Sequence, residues 1–111
     1  MTSSTPANSV VSWHDVGVET DFPDGEAVAV PVNGRAVAIV RLADGWRAVQ
    51  DRCTHGVGSL SQGFVSDNCI ECPLHEGVFD LTTGEVRSGP PPRPLRVYPI
   101  RIVDGRVQVE G

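Results

Sequence analysis

The chain is expected to be all-β: an antiparallel β-sandwich or barrel carrying one small inserted block rich in loops. Three observations point there. Short β-branched runs recur between glycines and prolines, of which there are 12 and 9 in 111 residues. Asn33-Gly34 and Asp104-Gly105 each stand between two such runs, the signal of a two-residue hairpin. No long stretch has helical periodicity, and there is no internal repeat or low-complexity tract.

Taken in order, the expected strands are 10–13, 27–32, 35–42, 46–50, 69–72, 77–80, 96–103 and 106–110. The first is marked by Val10 and Val11. The second and third carry Val28, Val30 and Val32, then Val37, Ile39 and Val40, on either side of Asn33-Gly34. Ala43-Asp44-Gly45 turns the chain into the fourth. The fifth and sixth are short, and Thr83-Gly84 turns the chain after them. The last two flank Asp104-Gly105. Leu60–Gln62 forms a helical turn at most. Residues 1–9, rich in Ser, Thr, Ala and Asn, read as a flexible N-terminus, and 10–111 as a single domain. The scaffold is expected at about 10–51 and 80–110, with the inserted block at about 52–79 holding all three cysteines and two of the three histidines.

Composition narrows function. A chain of 111 residues, 40% hydrophobic, builds one modest core, and cores of this size gain from a metal staple. All nine basic residues are Arg, so a Schiff-base or P-loop lysine is excluded. A net charge of −5 argues against nucleic acid as a partner. The N-terminus has neither a basic n-region nor an apolar h-region, so no signal peptide is expected there. No apolar run approaches the length needed to span a bilayer, so no membrane association is expected. Three cysteines cannot make a complete disulfide framework, which favours the cytoplasm.

The chemistry is concentrated in the inserted block. It reads Cys53-Thr54-His55, sixteen residues, then Cys72-Pro73-Leu74-His75. Two Cys and two His at short spacings suit zinc or an iron–sulfur cluster. Zinc sites more often pair like with like, C-x₂₋₄-C and H-x₃₋₅-H. Here each pair mixes one thiolate with one imidazole. Two mixed loops facing each other could give one iron both thiolates and a second iron both imidazoles.

The pattern C-T-H…C-P-L-H resembles the Rieske [2Fe–2S] family. The resemblance runs from about Val11 to Glu110. It includes Leu60-Ser61-Gln62-Gly63 after the first loop, Gly77-Val78-Phe79-Asp80 with Thr83-Gly84 after the second, and Ser88 to Leu95 as the family's proline-containing third loop over the cluster. It implies the Rieske fold, one [2Fe–2S] cluster, and Cys53, His55, Cys72 and His75 as its ligands. Two neutral imidazoles in place of thiolates make the cluster less negative, and Rieske centres in general lie at about −150 to +300 mV. High-potential members resemble C-T-H-L-G-C…C-P-C-H-G-S, with a disulfide between the two additional cysteines. Gly58 and Leu74 stand at those positions here and Gly77 at the serine, so the brace and a hydrogen-bond donor are missing and a lower potential is expected.

This pattern is similar to the ferredoxins of bacterial aromatic-ring-hydroxylating dioxygenase systems. The resemblance implies a soluble, cytoplasmic, monomeric electron carrier between a flavin-containing, NAD(P)H-dependent ferredoxin reductase and a terminal oxygenase, with no catalytic site of its own. A Rieske small subunit of another redox enzyme, such as nitrite reductase, is the alternative. A metal-stabilised interaction module without redox function is a third. An independent oxygenase is excluded by size.

Other residues have plainer readings. Cys69 forms C-x-x-C with Cys72, but without a strand–helix context it reads as a partly exposed thiol with no role. His14 reads as a surface residue at a strand end. Trp13, Trp46, Phe79 and Tyr98 read as core or sheet-face packing. Asp67, Glu71, Glu76 and Asp80, with no Arg between them, read as a solvated acidic face or a docking patch.

Overall fold

A computed structural model describes residues 12–54, 58–74, 77–89 and 93–111. The expectations for Val10, Val11 and the N-terminal tail, and for His55, His75, Glu76 and Pro90 to Pro92, fall outside the described residues.

Among the described residues, ten strands form three antiparallel sheets: β1 (Trp13–Val18), β2 (Ala27–Val32), β3 (Arg35–Leu42), β4 (Gly45–Gln50), β5 (Phe64–Ser66), β6 (Cys69–Glu71), β7 (Val78–Asp80), β8 (Val86–Ser88), β9 (Ile100–Val103) and β10 (Arg106–Glu110). Two three-stranded sheets, β1-β10-β9 and β2-β3-β4, make the scaffold, and β5-β6-β7-β8 makes a small third sheet. The antiparallel all-β expectation is met.

The scaffold hairpins follow from local chemistry. Asn33 and Gly34 have φ of 51° and 81°, and Asp104 and Gly105 have 50° and 78°. Positive φ at both central residues gives a type I′ turn, whose twist matches that of the strands it joins. The pairing runs in register from Val32↔Arg35 to Ala27↔Val40.

Strand β3 is the centre of the molecule. Val37, Ala38, Ile39 and Val40 are all fully buried. Alternation sends them to two cores. Val37 and Ile39 join Phe22, Val32, Ala48, Tyr98, Val107 and Val109 between the scaffold sheets. Ala38 and Val40 join Val49, Leu60, Ile70, Phe79, Leu81 and Leu95 beneath the small sheet, together with Cys53 and Cys72.

Two elements differ from expectation for tertiary reasons. The first strand is Trp13–Val18, set by pairing with β10 at Trp13↔Glu110 and Val18↔Arg106, with a bulge between Asp15 and Gly17 that breaks its alternation. The segment expected as 96–103 is divided at Pro99. Tyr98 N–H donates to the Ala48 carbonyl and Gln50 N–H to that of Arg96, so the chain lies along β4 before passing to β10 as β9. Pro99 has no N–H to offer a ladder. Strands β5 and β8 were not anticipated. Asp67, with φ of 53°, turns the first of them without a glycine.

Asp80 corrects the acidic-face expectation. It is 7% exposed and ion-paired with Arg87 at 2.5 Å. Its Oδ1 accepts the amide N–H groups of Thr82 and Thr83 at 2.8 and 2.9 Å. The Arg87 hydrogen bond, followed by the Thr83 amide, holds its carboxyl at about 2, against an ordinary 3.8. A depressed carboxyl stabilises the fold above the unfolded-state value and loses that effect as pH falls through the folded value. Asp80→Asn should cost about 1–3 kcal/mol at neutral pH, the usual range for a broken buried hydrogen-bonded ion pair at a turn. Thermal melts of both proteins should differ fully above about pH 5 and converge between about pH 4 and 2. An equal difference at every pH would show that the charge of Asp80 is not what it contributes.

Candidate metal centre

Cys53 and Cys72 are brought together by two loops closed in the same way. Cys53 N–H donates to the Gly58 carbonyl at 2.9 Å, and Cys72 N–H donates to the Gly77 carbonyl at 2.8 Å. Each loop thus spans a cysteine and the glycine five residues later. The first is anchored at its foot by Asp51, which is 4% exposed. Its Oδ1 accepts Ser61 N–H at 2.7 Å, its carbonyl accepts Leu60 N–H at 2.7 Å, and its own N–H donates to Ala36 at 3.0 Å. Thr54 Oγ1 donates to the Arg93 carbonyl at 2.7 Å, tying the first loop to the segment after the prolines.

The two cysteines are 2% and 0% exposed, in an apolar core. They face each other across Gly58. A Cβ at Gly58 would stand 2.6 Å from Cys72 Sγ, 3.6 Å from Cys53 Cβ and 3.7 Å from Leu74 Cδ1. A side chain at this position would therefore fill the space between the two sulfur-bearing residues. Two converging buried thiols, each opening a loop that carries one histidine in its sequence, fit a [2Fe–2S] cluster with mixed ligands. A Cβ at Gly58 would also meet the Leu74 side chain, so positions 58 and 74, where the resemblance places the disulfide of high-potential Rieske proteins, adjoin, and Gly and Leu cannot form it.

Of the expected ligands, the structure brings Cys53 and Cys72 together; His55 and His75 lie outside the described residues. Cys69 is half-buried on β6, with Glu71, while Ile70 between them faces the core. His14 is half-buried on β1 and its Nε2 lies 3.3 Å from the Gly111 carbonyl. Phe79 and Tyr98 are core residues, Trp46 meets Phe22 edge-on at 5.7 Å, and Arg101 lies 4.0 Å over Trp13. Sequence reasoning missed Asp51, and it noted Gly58 as the place of an absent cysteine and not as the residue that leaves space between the thiols. The matched spacing Cys53…Gly58 and Cys72…Gly77 was the available signal.

The Rieske [2Fe–2S] domain model matches residues 12–99. The anthranilate 1,2-dioxygenase ferredoxin subunit of Burkholderia cepacia is 43% identical over 101 residues, covering 91% of this chain and 94% of that protein. Among solved structures, the ferredoxin in a complex of reduced oxygenase and oxidised ferredoxin of carbazole 1,9a-dioxygenase superposes with a TM-score of 0.83 at 37% identity, covering 89% and 93% of the two chains. A nitrite reductase small subunit from Mycobacterium tuberculosis superposes with a TM-score of 0.84 at 27% identity, covering 93% and 97%.

Proposed function

Because the chain belongs to the Rieske [2Fe–2S] domain family, we propose that it holds its one cluster through Cys53, His55, Cys72 and His75 and passes single electrons from an NAD(P)H-dependent ferredoxin reductase to a terminal oxygenase. The chain is a ferredoxin component of an aromatic-ring dioxygenase system, an electron carrier and not itself a catalyst. The observation that carries the ligand assignment is the approach of Cys53 and Cys72 across Gly58.

When bound, the cluster takes up and releases one electron at a potential set by ligand charge and by hydrogen bonds to its sulfurs. The protein's own residues do the rest. Cys53 and Cys72, buried in an apolar core, would hold the cluster through their thiolates. Asp51 fixes the foot of the first loop and Thr54 fixes its crown. Gly58 leaves the space. His55 and His75 supply neutral ligands, which lets the protein accept an electron more readily than an all-thiolate site would.

A small subunit of a nitrite reductase shares this fold, but the higher identity lies with dioxygenase ferredoxins. Among the described residues no helix is long and apolar enough to cross a membrane. A cytoplasmic, monomeric carrier completes the reading, supported by cysteine usage and size.

The test is reconstitution. Purified reductase, this ferredoxin and a terminal oxygenase should together couple NAD(P)H consumption to ring hydroxylation, and omission of the ferredoxin should abolish the coupling. Turnover by the pure ferredoxin, or transfer to a nitrite reductase and to no oxygenase, would overturn the reading.

A further inference from the structure

We propose that the carboxylate of Asp51 holds the potential of the metal centre low, by placing a buried negative charge on the same face of the chain as Cys53; the inference rests on the ligand assignment above. Residues 51–53 and 58–60 form a short antiparallel ladder. Cys53 N–H donates to the Gly58 carbonyl, Leu60 N–H donates to the Asp51 carbonyl, and Arg52 pairs with Ser59 between them. In such a ladder alternate side chains share a face. Asp51 and Cys53 are both buried, and Arg52 between them is exposed. Two residues of extended chain span roughly 6–7 Å, so the carboxylate and the ligand thiolate are close neighbours.

The surroundings leave that charge little screened. Leu60, opposite Asp51 in the ladder, is fully buried. Asp15, Asp24, Asp44 and Asp80 each have an arginine, at Arg106, Arg41, Arg47 and Arg87. Among the described residues no arginine is ion-paired with Asp51. A charge held away from water acts more strongly over such a distance than the same charge at the surface.

The sign follows from the chemistry of the donor set. Reduction adds one electron, turns one ferric iron ferrous and makes the site more negative by one charge. A fixed anion beside a ligand repels that electron, favours the oxidised form and lowers the potential. The reduced protein is then a stronger donor to the next protein in the chain. Anchoring the loop does not require this charge. Oδ1 of Asp51 accepts Ser61 N–H at 2.7 Å, and the amide oxygen of an asparagine would accept it equally. What an aspartate adds at this position is the negative charge.

The test is a redox titration of the cluster-loaded protein at one neutral pH, at low and at high salt. Asp51→Asn and Asp51→Ser both remove the charge and keep an oxygen that can accept a hydrogen bond. Asp104→Asn is the control: it removes an exposed carboxylate from the β9–β10 turn, at a φ of 50° that asparagine also adopts. Both Asp51 variants should raise the midpoint potential, moving the reduction equilibrium about tenfold towards the reduced form, or about 59 mV for one electron. The shift should persist at high salt, whereas Asp104→Asn should change the potential little at any salt. The EPR signal of the reduced protein should keep its Rieske form, which shows that the ligands are retained. An unchanged potential in a loaded Asp51 variant, an equal shift in Asp104→Asn, or a shift abolished by salt would each overturn the role of Asp51. Failure of both neutral variants to load would overturn it too, by making Asp51 a requirement of loop folding. A wild-type protein that binds iron without the Rieske signal would overturn the ligand assignment and, with it, the role of Asp51.

Discussion

Cys72→Ser should yield a colourless protein that retains neither iron nor sulfide. Cys72 is fully buried beside Ile70 and Phe79, and its Sγ points into the space opposite Cys53. A serine hydroxyl fits there, but it does not ionise near neutral pH and is a hard donor where iron–sulfur chemistry uses thiolate. An amide hydrogen bond closes the foot of each loop, Cys53 to Gly58 and residue 72 to Gly77, but with the cluster lost nothing ties the two thiol positions to each other through metal. Metal binding is folding free energy in so small a domain, so the melting temperature should fall by at least about 10 °C. Iron and sulfide analysis, visible absorption and calorimetry check it. Cys69→Ser, three residues away on the half-buried face of β6, should keep the cluster and the melting temperature. His55→Cys and His75→Cys should lose the Rieske EPR signal of the reduced protein. A Cys72→Ser protein with normal iron content, or either His variant with an unaltered signal, would remove that residue from the ligand set.

Gly63→Ala should be among the most damaging single-methyl changes in the fold. Gly63 follows the 3₁₀ turn Leu60–Gln62 and lies against β6. An added Cβ would overlap the Glu71 carbonyl oxygen and stand 3.0 Å from its carbon and 3.1 Å from Pro73 Cδ. Both neighbours are backbone or ring, so no side-chain rotation relieves the clash. The φ of −94° is open to any residue, which makes the cost one of space and not of conformation. Overpacking against backbone should cost about 3 kcal/mol or more, a fall in melting temperature above about 10 °C. Glu71 directly precedes Cys72, so iron occupancy should fall as well. Gly34→Ala is the contrast: nothing lies within 4 Å of its Cβ, and only the φ of +81° opposes it. It should cost about 1 kcal/mol. Melting curves and iron analysis of the two variants decide the matter. A Gly63→Ala protein as stable as Gly34→Ala would show that 63 and 71 do not approach so closely.

What the sequence by itself determined was local. Strands β2, β3 and β10 follow from β-branched runs and from Asn-Gly and Asp-Gly, because a hairpin's turn fixes its register within a few residues. The cluster was legible for the same reason: C-T-H and C-P-L-H are short, and the mixed pairs speak for the chemistry wherever the loops lie. Only the tertiary structure decided what depends on distant partners. Strand β1 takes its bounds from β10, more than 80 residues away in the chain, and Pro99 divides an apparent strand because β4 and β10 claim its two ends. Asp80 is spaced in sequence like a member of an acidic face, yet Arg87 and two amides draw it inside. The arginines at 35, 52, 93 and 96 look scattered until β3, the first metal loop and the post-proline segment bring them to the walls of two adjoining clefts. Charge and packing act across space, whereas a linear pattern records only neighbours along the chain.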